Sequence, residues 1–393
     1  MQGMRFIPRM EAGRLARLLK AFPAVLLAGP RQCGKSTLAR HALAGWTHVD
    51  LERPLDLEAV RADIEGFLEA NPRALVIDEA QRLPELFPAL RHRIDQGRGR
   101  GRFVLLGSAS PSLMRKASES LAGRVAIVEL TAFLSAELGG AARRERWFWG
   151  GFPPVLALRG AALRTEWLGA YVATLLERDL PSLGVGLPSR RLRQLWTMLT
   201  HVHGSLLNVS DLARSLGVSS HTVAGDLDVL EGAFMIRRLQ PFFANVQKRL
   251  TKSPKVYVRD TGLLHHLAGL RHPRELATWP RRGASFEGLV VEEISAMARN
   301  RLARPEVFFW RTQAGAEVDL LVVEGRRIVP IEIKLGASVA GRELAGLRQC
   351  MSDLGLRRGF VVTSGREPRR LAPGIDLVPW EQVVSGEADL LRF

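Results

Sequence analysis

The run Gly29-Pro30-Arg31-Gln32-Cys33-Gly34-Lys35-Ser36 has the spacing glycine, four residues, then Gly-Lys-Ser, and Thr37 follows it. These types at this spacing suit the cradling of a nucleoside triphosphate. Backbone N–H groups meet phosphate oxygens, Lys35 reaches the β- and γ-phosphates, and Ser36 ligates magnesium. A loop does this when a strand aims it and a helix N-terminus closes it. The apolar stretch Ala24–Ala28 supplies a buried strand before the loop, and Thr37–Leu43 supplies a helix after it. Gly29 to Thr37 is therefore read as the binding segment for ATP.

Hydrolysis needs one carboxylate to hold magnesium and another to orient and deprotonate water. Residues 74–80, Ala-Leu-Val-Ile-Asp-Glu-Ala, read as a buried strand ending in two acids. An acid at the carboxyl end of such a strand shares a crevice with the phosphates. Asp78 is the expected magnesium ligand and Glu79 the expected general base. A third strand, Arg102–Gly107, ends at Ser108, whose hydroxyl could contact the γ-phosphate or the attacking water. Arg124, between a helix and the strand Val125–Val128, is a candidate finger in its own subunit or in a neighbour.

A second cluster of chemically useful residues lies near the C-terminus. The strands Ala316–Glu324 and Arg327–Leu335 flank a tight turn at Gly325-Arg326, which pairs residues whose numbers sum to about 651. That register sets Asp319 opposite Glu332 and Glu317 opposite Lys334, all on one face by period-two alternation. Val318, Leu320 and Val322 then share the other face with Val329, Ile331 and Ile333. Opposed like charges are destabilising unless something neutralises them, and a magnesium or manganese ion between Asp319 and Glu332 would do so. Lys334 could then activate water or stabilise a phosphorane-like transition state. Upstream, the helix Phe286–Arg299 places Glu287 on the stripe of Val290, Val291 and Ile294, with Glu293 as runner-up. The competing reading is a surface ion network of Glu317, Glu332 and Lys334.

Between these clusters, residues 141–187 read as short helices, ending in the charged trio Glu177-Arg178-Asp179. Pro181, Gly184, Gly186 and Pro188 mark a boundary. A helix-turn-helix pattern follows: Arg190–His203, then Asp211–Leu216 capped by Ser210 and ended by Gly217. A third helix starts at Ser219 or Ser220 and runs to Glu231, with a wing-like strand opening at Phe234. A base-reading helix should offer Arg, Lys, Asn or Gln. This one offers His221 and Thr222 and carries Asp226, Asp228 and Glu231, which favours a structural or protein-contact role. The segment Lys248–Lys255 is the better candidate for phosphate contact.

The chain has 393 residues, enough for two or three domains, and 46% of them are hydrophobic. No apolar run is long enough to span a bilayer, and Cys33 and Cys350 give neither a disulfide framework nor metal-ligand spacing. A cytoplasmic location is expected. The net charge of +16 invites a polyanionic partner such as DNA. Of 56 basic residues only seven are lysines, two of them Lys35 and Lys334. Lysine that persists in so arginine-rich a chain suits work that arginine's fixed fork does poorly.

The pieces AGPRQCGKSTL, LVIDEAQ, LLGSAS and LAGR resemble the nucleotide-binding domain of AAA+ ATPases. With LLERDLPSL, KVYVRDTGLL, FEGLVVEEI, EVDLLV and PIEIK, most of residues 20–335 resembles a bacterial and archaeal family. That family joins the ATPase domain to a C-terminal domain of unknown function. The resemblance implies the usual roles for Lys35, Ser36, Asp78 and Glu79, Ser108 as sensor, Arg124 or Arg178 as finger, and a homo-oligomer. Glu287, Asp319, Glu332 and Lys334 together resemble the PD-(D/E)xK nuclease core. The expected fold is α/β. It comprises a P-loop AAA+ ATPase domain (1–140), a helical lid (141–188), a winged helix (189–245) and a nuclease-like domain (246–393). Three functions fit: an ATP-driven enzyme acting on nucleic acid, as a magnesium-dependent DNA nuclease or a DNA remodeller; a regulatory ATPase that binds a protein partner, its nuclease-like domain inactive; and, most weakly, a kinase.

Overall fold

The apolar run before the phosphate loop forms β1, Ala24–Gly29, with every residue buried. The computed structural model describes residues 6–97, 99–108, 120–182, 186, 188–243, 253–336 and 339–392. The other strands of this first sheet are β2 (Thr47–Asp50), β3 (Leu75–Asp78), β4 (Phe103–Ser108) and β5 (Val125–Glu129). They lie in the order β2-β3-β4-β1-β5, and every pairing is parallel. Parallel strands must be covered on both faces, which is why they read as unbroken apolar runs. Leu26, Ile77, Phe87 and Leu105 fill one side, and Val25, Leu27, Leu38 and Val104 the other. The carboxyl ends of β1, β3 and β4 share one edge, so Gly29, Asp78 and Ser108 lie together.

The middle of the chain has a single core rather than a separate lid and winged helix. Trp149, Phe152 and Tyr171 from the helical segment share it with Trp196, Leu227 and Leu264. Helices Ser189–His201, Val209–Leu216 and Ser220–Gly232 stand beside a small antiparallel sheet. Its strands are β6 (Ser205–Leu206), β7 (Ile236–Leu239) and β8 (Lys255–Val258), in the order β6-β8-β7. The three helices fall close to the expected ranges, and two details change. Asn208, not Ser210, caps the second helix, accepting from the N–H groups of Ser210 and Asp211. The unit also extends past residue 245, because β8 completes its sheet from within the segment expected to be C-terminal.

The last unit begins with the long helix Arg282–Arg301. Its sheet contains β9 (Glu306–Arg311), β10 (Glu317–Glu324), β11 (Arg327–Lys334), β12 (Gly359–Thr363), β13 (Arg369–Ala372) and β14 (Ile375–Pro379). The order is β13-β14-β12-β11-β10-β9. The β10–β11 hairpin keeps the expected register from Leu320↔Ile331 to Glu324↔Arg327, around Gly325 at φ +60°. The face assignment holds for Leu320 and Val322 but not for Val318. A register shift against β9 between Val318 and Leu321 sends Val318 to the opposite face, beside Leu321 and Leu347. Such an irregularity re-aims the side chains inside it, and here that side chain is Asp319.

Candidate functional site

The phosphate loop is held in shape by close packing. A Cβ on Gly29 would lie 2.1 Å from the Leu130 carbonyl oxygen, and Gly34 has φ +102° where the helix Lys35–Ala42 begins. Both positions need glycine, the first for contact and the second for conformation. Lys35 is buried, its Nζ donating to the carbonyls of Gly29 at 3.0 Å and Pro30 at 2.9 Å. Ser36 Oγ donates to Asp78 Oδ2 at 2.5 Å, and the Glu79 N–H donates to Asp78 Oδ1 at 2.9 Å. Burial pushes the Asp78 carboxyl upward, and the Ser36 hydroxyl opposes that shift. Glu79 itself sits in the left-handed region at φ +52°. For a residue with a side chain that is a costly conformation, and it sends the backbone away from β3 directly after Asp78.

These groups edge a cavity of about 910 Å³. Gln32 to Thr37 form one wall, with Glu79 reaching in. Trp167 and Tyr171, stacked at 5.2 Å on the helix Ala161–Thr174, form the facing wall. Phe6, stacked on His41 at 3.7 Å, and Phe133 complete an apolar end. Ser36 and Asp78 offer hard oxygen ligands beside this cavity and fit a magnesium ion, which commonly takes one or two protein oxygens and completes its shell with water and phosphate.

Two residues that shape the site, Arg9 and Asp179, had no local signal. Arg9 is buried and donates to the Cys33 carbonyl at 2.9 Å and the Thr131 carbonyl at 2.7 Å, clamping the loop from the N-terminal segment. Arg31, inside the loop, pairs with Asp179 and lies 3.1 Å from Glu52. Asp179 closes a turn of π-helix, Leu175–Asp179, that continues the facing helix. Irregular turns of this kind recur at functional sites, and this one brings Arg178 and Asp179 to the cavity. Arg124 lies elsewhere. It sits beside Ala24 at the other end of β1, roughly 16 Å from Gly29 at the usual rise per residue, and pairs with Asp95 at 2.6 Å. It cannot serve the phosphates of its own chain. The side chain of Ser108 lies outside the described residues.

The C-terminal acids converge, with an unexpected companion. Glu287, Asp319, Glu332 and Lys334 are brought together: Asp319 and Glu332 are buried, Glu287 is half-buried, and Lys334 is about a third exposed at the rim. Lys255 enters from β8. Its Nζ lies 3.0 Å from Glu287 Oε1, 3.1 Å from Asp319 Oδ1 and 2.5 Å from Glu317 Oε1. Tyr257, two residues along β8, donates its hydroxyl to Glu287 Oε1 at 2.5 Å. The Ile333 N–H donates to Asp319 Oδ2 at 2.9 Å, and Lys334 holds Glu332 Oε1 at 2.7 Å. Burial and then the Asp319 charge push both Glu287 and Glu332 above the ordinary carboxylate range. Burial works against the Lys255 charge, but Tyr257, Glu287, Asp319 and Glu317 carry its pKa well upward.

With the ammonium in place, these acids do not fit the expected metal. Among the described residues no group of three or more His, Cys, Asp or Glu side chains is arranged to hold one. Two further expectations change with it. Lys255 is 2% exposed and is not a phosphate contact, while Lys248 and Lys252 lie outside the described residues. Glu293, the runner-up to Glu287, instead accepts from the Ser135 backbone at 2.8 Å and the Ser135 hydroxyl at 2.7 Å. The acids of the helix Ser220–Gly232 are also engaged internally. Asp226 is held by Arg191 at 2.7 Å, and Arg238 is held by Asp228 at 2.7 Å and by Glu231.

Residues 21–139 match an AAA domain, residues 141–274 a domain of unknown function (DUF8612), and residues 282–383 a domain of unknown function (DUF4143). Over 388 residues the chain is 42% identical to the uncharacterized protein Rv2008c of Mycobacterium tuberculosis, covering 98% of this chain and 86% of the relative. The same values hold for the uncharacterized protein Mb2031c of Mycobacterium bovis. The chain belongs to their family. It is an AAA-like ATP-binding protein with a C-terminal DUF4143 domain. Among solved structures it is similar to the Walker-type ATPase PABY2304 of Pyrococcus abyssi, at 17% identity and a TM-score of 0.47, over 67% of this chain and 96% of that one. It is also similar to a STAND protein with a tetratricopeptide repeat sensor from Pyrococcus horikoshii, at 13% identity and a TM-score of 0.30, over 75% and 49%. No helix among the described residues is long and apolar enough to cross a membrane.

Proposed function

We propose that this protein hydrolyses ATP between the phosphate loop and the helix Ala161–Thr174, and that the nucleotide state switches how those two elements grip each other. The observation that carries this reading is a cavity lined by Ser36, Glu79 and the Arg31–Asp179 pair, with Asp78 bonded to Ser36 beside it. The flat apolar end made by Phe6, His41, Trp167 and Tyr171 suits the base. Lys35, now bonded to loop carbonyls, would turn to the terminal phosphates. Ser36 and Asp78 would hold magnesium, which neutralises phosphate charge when bound. Glu79 orients the attacking water and takes its proton. Ser108 stands at the same sheet edge, paired through the backbone with Gly29. Arg178 supplies positive charge from the facing wall, and Arg124 can serve only a neighbouring copy in an oligomer. A γ-phosphate drawing Arg31 towards itself would loosen Asp179, and the middle unit, which shares one core with Asp179's helix, would respond as a body.

The output of such a switch is a partner macromolecule. The internally neutralised third helix of the winged-helix unit favours a protein. The net charge of +16 favours a second reading, in which DNA is the partner. Nuclease action at Glu287, Asp319, Glu332 and Lys334 is not part of the proposal, because Lys255 fills their centre. The test is steady-state ATP hydrolysis by the full chain, with and without DNA, and with the DNA inspected for cleavage. Hydrolysis lost in Lys35→Ala supports the ATPase reading, and no turnover above background under any condition overturns it. Stimulation by DNA would select the second reading over a protein partner.

A further inference from the structure

An ammonium group has three N–H donors and no acceptor. Lys255 directs all the charge it has at three carboxylates, Glu287, Glu317 and Asp319, from a position 2% exposed. A compact cation within about 3 Å of several carboxylate oxygens has the coordination role that a divalent ion would take there. Lysine suits this tripod better than arginine, whose planar fork matches one carboxylate at a time. The remaining charges are matched too: Lys334 holds Glu332, and Arg311 pairs with Glu317. Lys255 is not a wandering surface group. Its strand is the central one of its sheet, paired with Leu239 on one side and Leu206 on the other. Four residues further on, Arg259 is tied to Glu129 of the ATPase sheet and to Glu292 of the long helix.

We propose that Lys255 is the resident cation of the acidic centre. It stands in place of a divalent metal, keeps the DUF4143 centre metal-free in the intact chain, and converts its acids into a lock between the winged-helix unit and the C-terminal domain. One buried oxygen, Glu332 Oε2, has no hydrogen-bond partner and remains available to a metal once the lysine charge is removed. The proposal is independent of ATP hydrolysis, since none of these residues touches the nucleotide cavity.

The test is Mn²⁺ binding to the full, nucleotide-free chain, followed by electron paramagnetic resonance and by the shift in melting temperature. All proteins carry Asp78→Asn, which removes the ligand expected at the nucleotide site. The parent should bind no Mn²⁺ that depends on Asp319. Lys255→Met, which keeps the length and removes the charge, should melt lower without metal, bind one Mn²⁺ per chain and regain stability with it. Adding Asp319→Asn should abolish that binding. A folded Lys255→Met protein without Mn²⁺ binding would overturn the proposal. So would a parent that already binds Mn²⁺ at a site lost on Asp319→Asn. If Lys255→Met does not fold, the parent titration with and without Asp319→Asn decides alone: Asp319-dependent Mn²⁺ overturns the proposal, and its absence sustains it.

Discussion

At the scale of single residues, the nucleotide chemistry separates into binding and turnover. Glu79→Gln keeps the size of the side chain and removes the base, so ATP affinity should persist while kcat falls by about 10²-fold or more. Equilibrium binding of a fluorescent ATP analogue, measured beside turnover, checks the split; a parallel loss of both would assign Glu79 to structure. Arg31→Ala and Arg178→Ala should weaken ATP binding, whereas Arg124→Ala should leave it unchanged, because Arg124 faces Asp95 at the far end of β1. The contrast also shows which residues were legible in sequence. Lys35, Ser36, Asp78 and Glu79 could be read because a strand end and its following loop are contiguous, so spacing fixes their geometry. Arg9 and Asp179 could not be. Arg9 meets Thr131, and Asp179 meets Arg31, across more than a hundred residues each. Such contacts follow from how units pack, and no short-range pattern encodes that.

Secondary elements were legible where their own periodicity and turn chemistry decided them. The β10–β11 hairpin is the clear instance: alternation chose the faces, Gly325 chose the turn, and Leu320 to Glu324 took the expected partners. What alternation could not show was the irregularity at Val318–Leu321, which depends on the neighbouring β9. Nor could composition show that Lys255–Val258 joins β6 and β7 in one sheet, since strand pairing is a long-range choice. One element contact has a measurable consequence. The helix Ala345–Leu354 approaches β10 so closely that a Cβ on Gly346 would lie 2.2 Å from the Glu317 carbonyl oxygen. Gly346→Ala should therefore force the helix outward and lower stability by about 1–3 kcal/mol, a typical cost of overpacking. Urea denaturation should show a lower midpoint, and the helix interior position, which otherwise favours alanine over glycine, makes an increase the result that would refute close packing.

The whole molecule is joined at one charged junction. Glu129 at the end of β5 meets Arg259, Arg299 and Arg237, and Glu292 binds Arg259 and Arg237 at the same place. The first sheet, the middle unit and the long helix Arg282–Arg301 each contribute a charge. Burial alone would raise the Glu129 carboxyl, but Arg259, Arg299 and Arg237 overcome it and hold the pKa at about 2. A carboxyl depressed in the folded state stabilises it above the ordinary carboxylate range. That contribution is lost as pH falls from about 4.5 towards 2. Glu287 and Glu332, shifted upward, have the opposite sign: the folded chain retains protons that the unfolded chain releases, so their effect appears as pH rises above the ordinary range. The two windows differ, so in acid the junction carboxylates Glu129 and Glu292 act alongside the exposed Asp95, which Arg124 also holds below its ordinary value. Glu129→Gln should cost about 1–3 kcal/mol at pH 7, because it leaves half-buried arginines short of a partner while Glu292 still pairs Arg237 and Arg259. It should also flatten the fall in stability below pH 4.5. Urea denaturation from pH 7 to pH 3 measures both effects. If the variant keeps the full acid slope of the parent, the coupling of the three units lies outside this junction, and the segment from Lys255 on β8 to Arg259 just beyond it would not be the member that binds the nucleotide domain to the acidic centre.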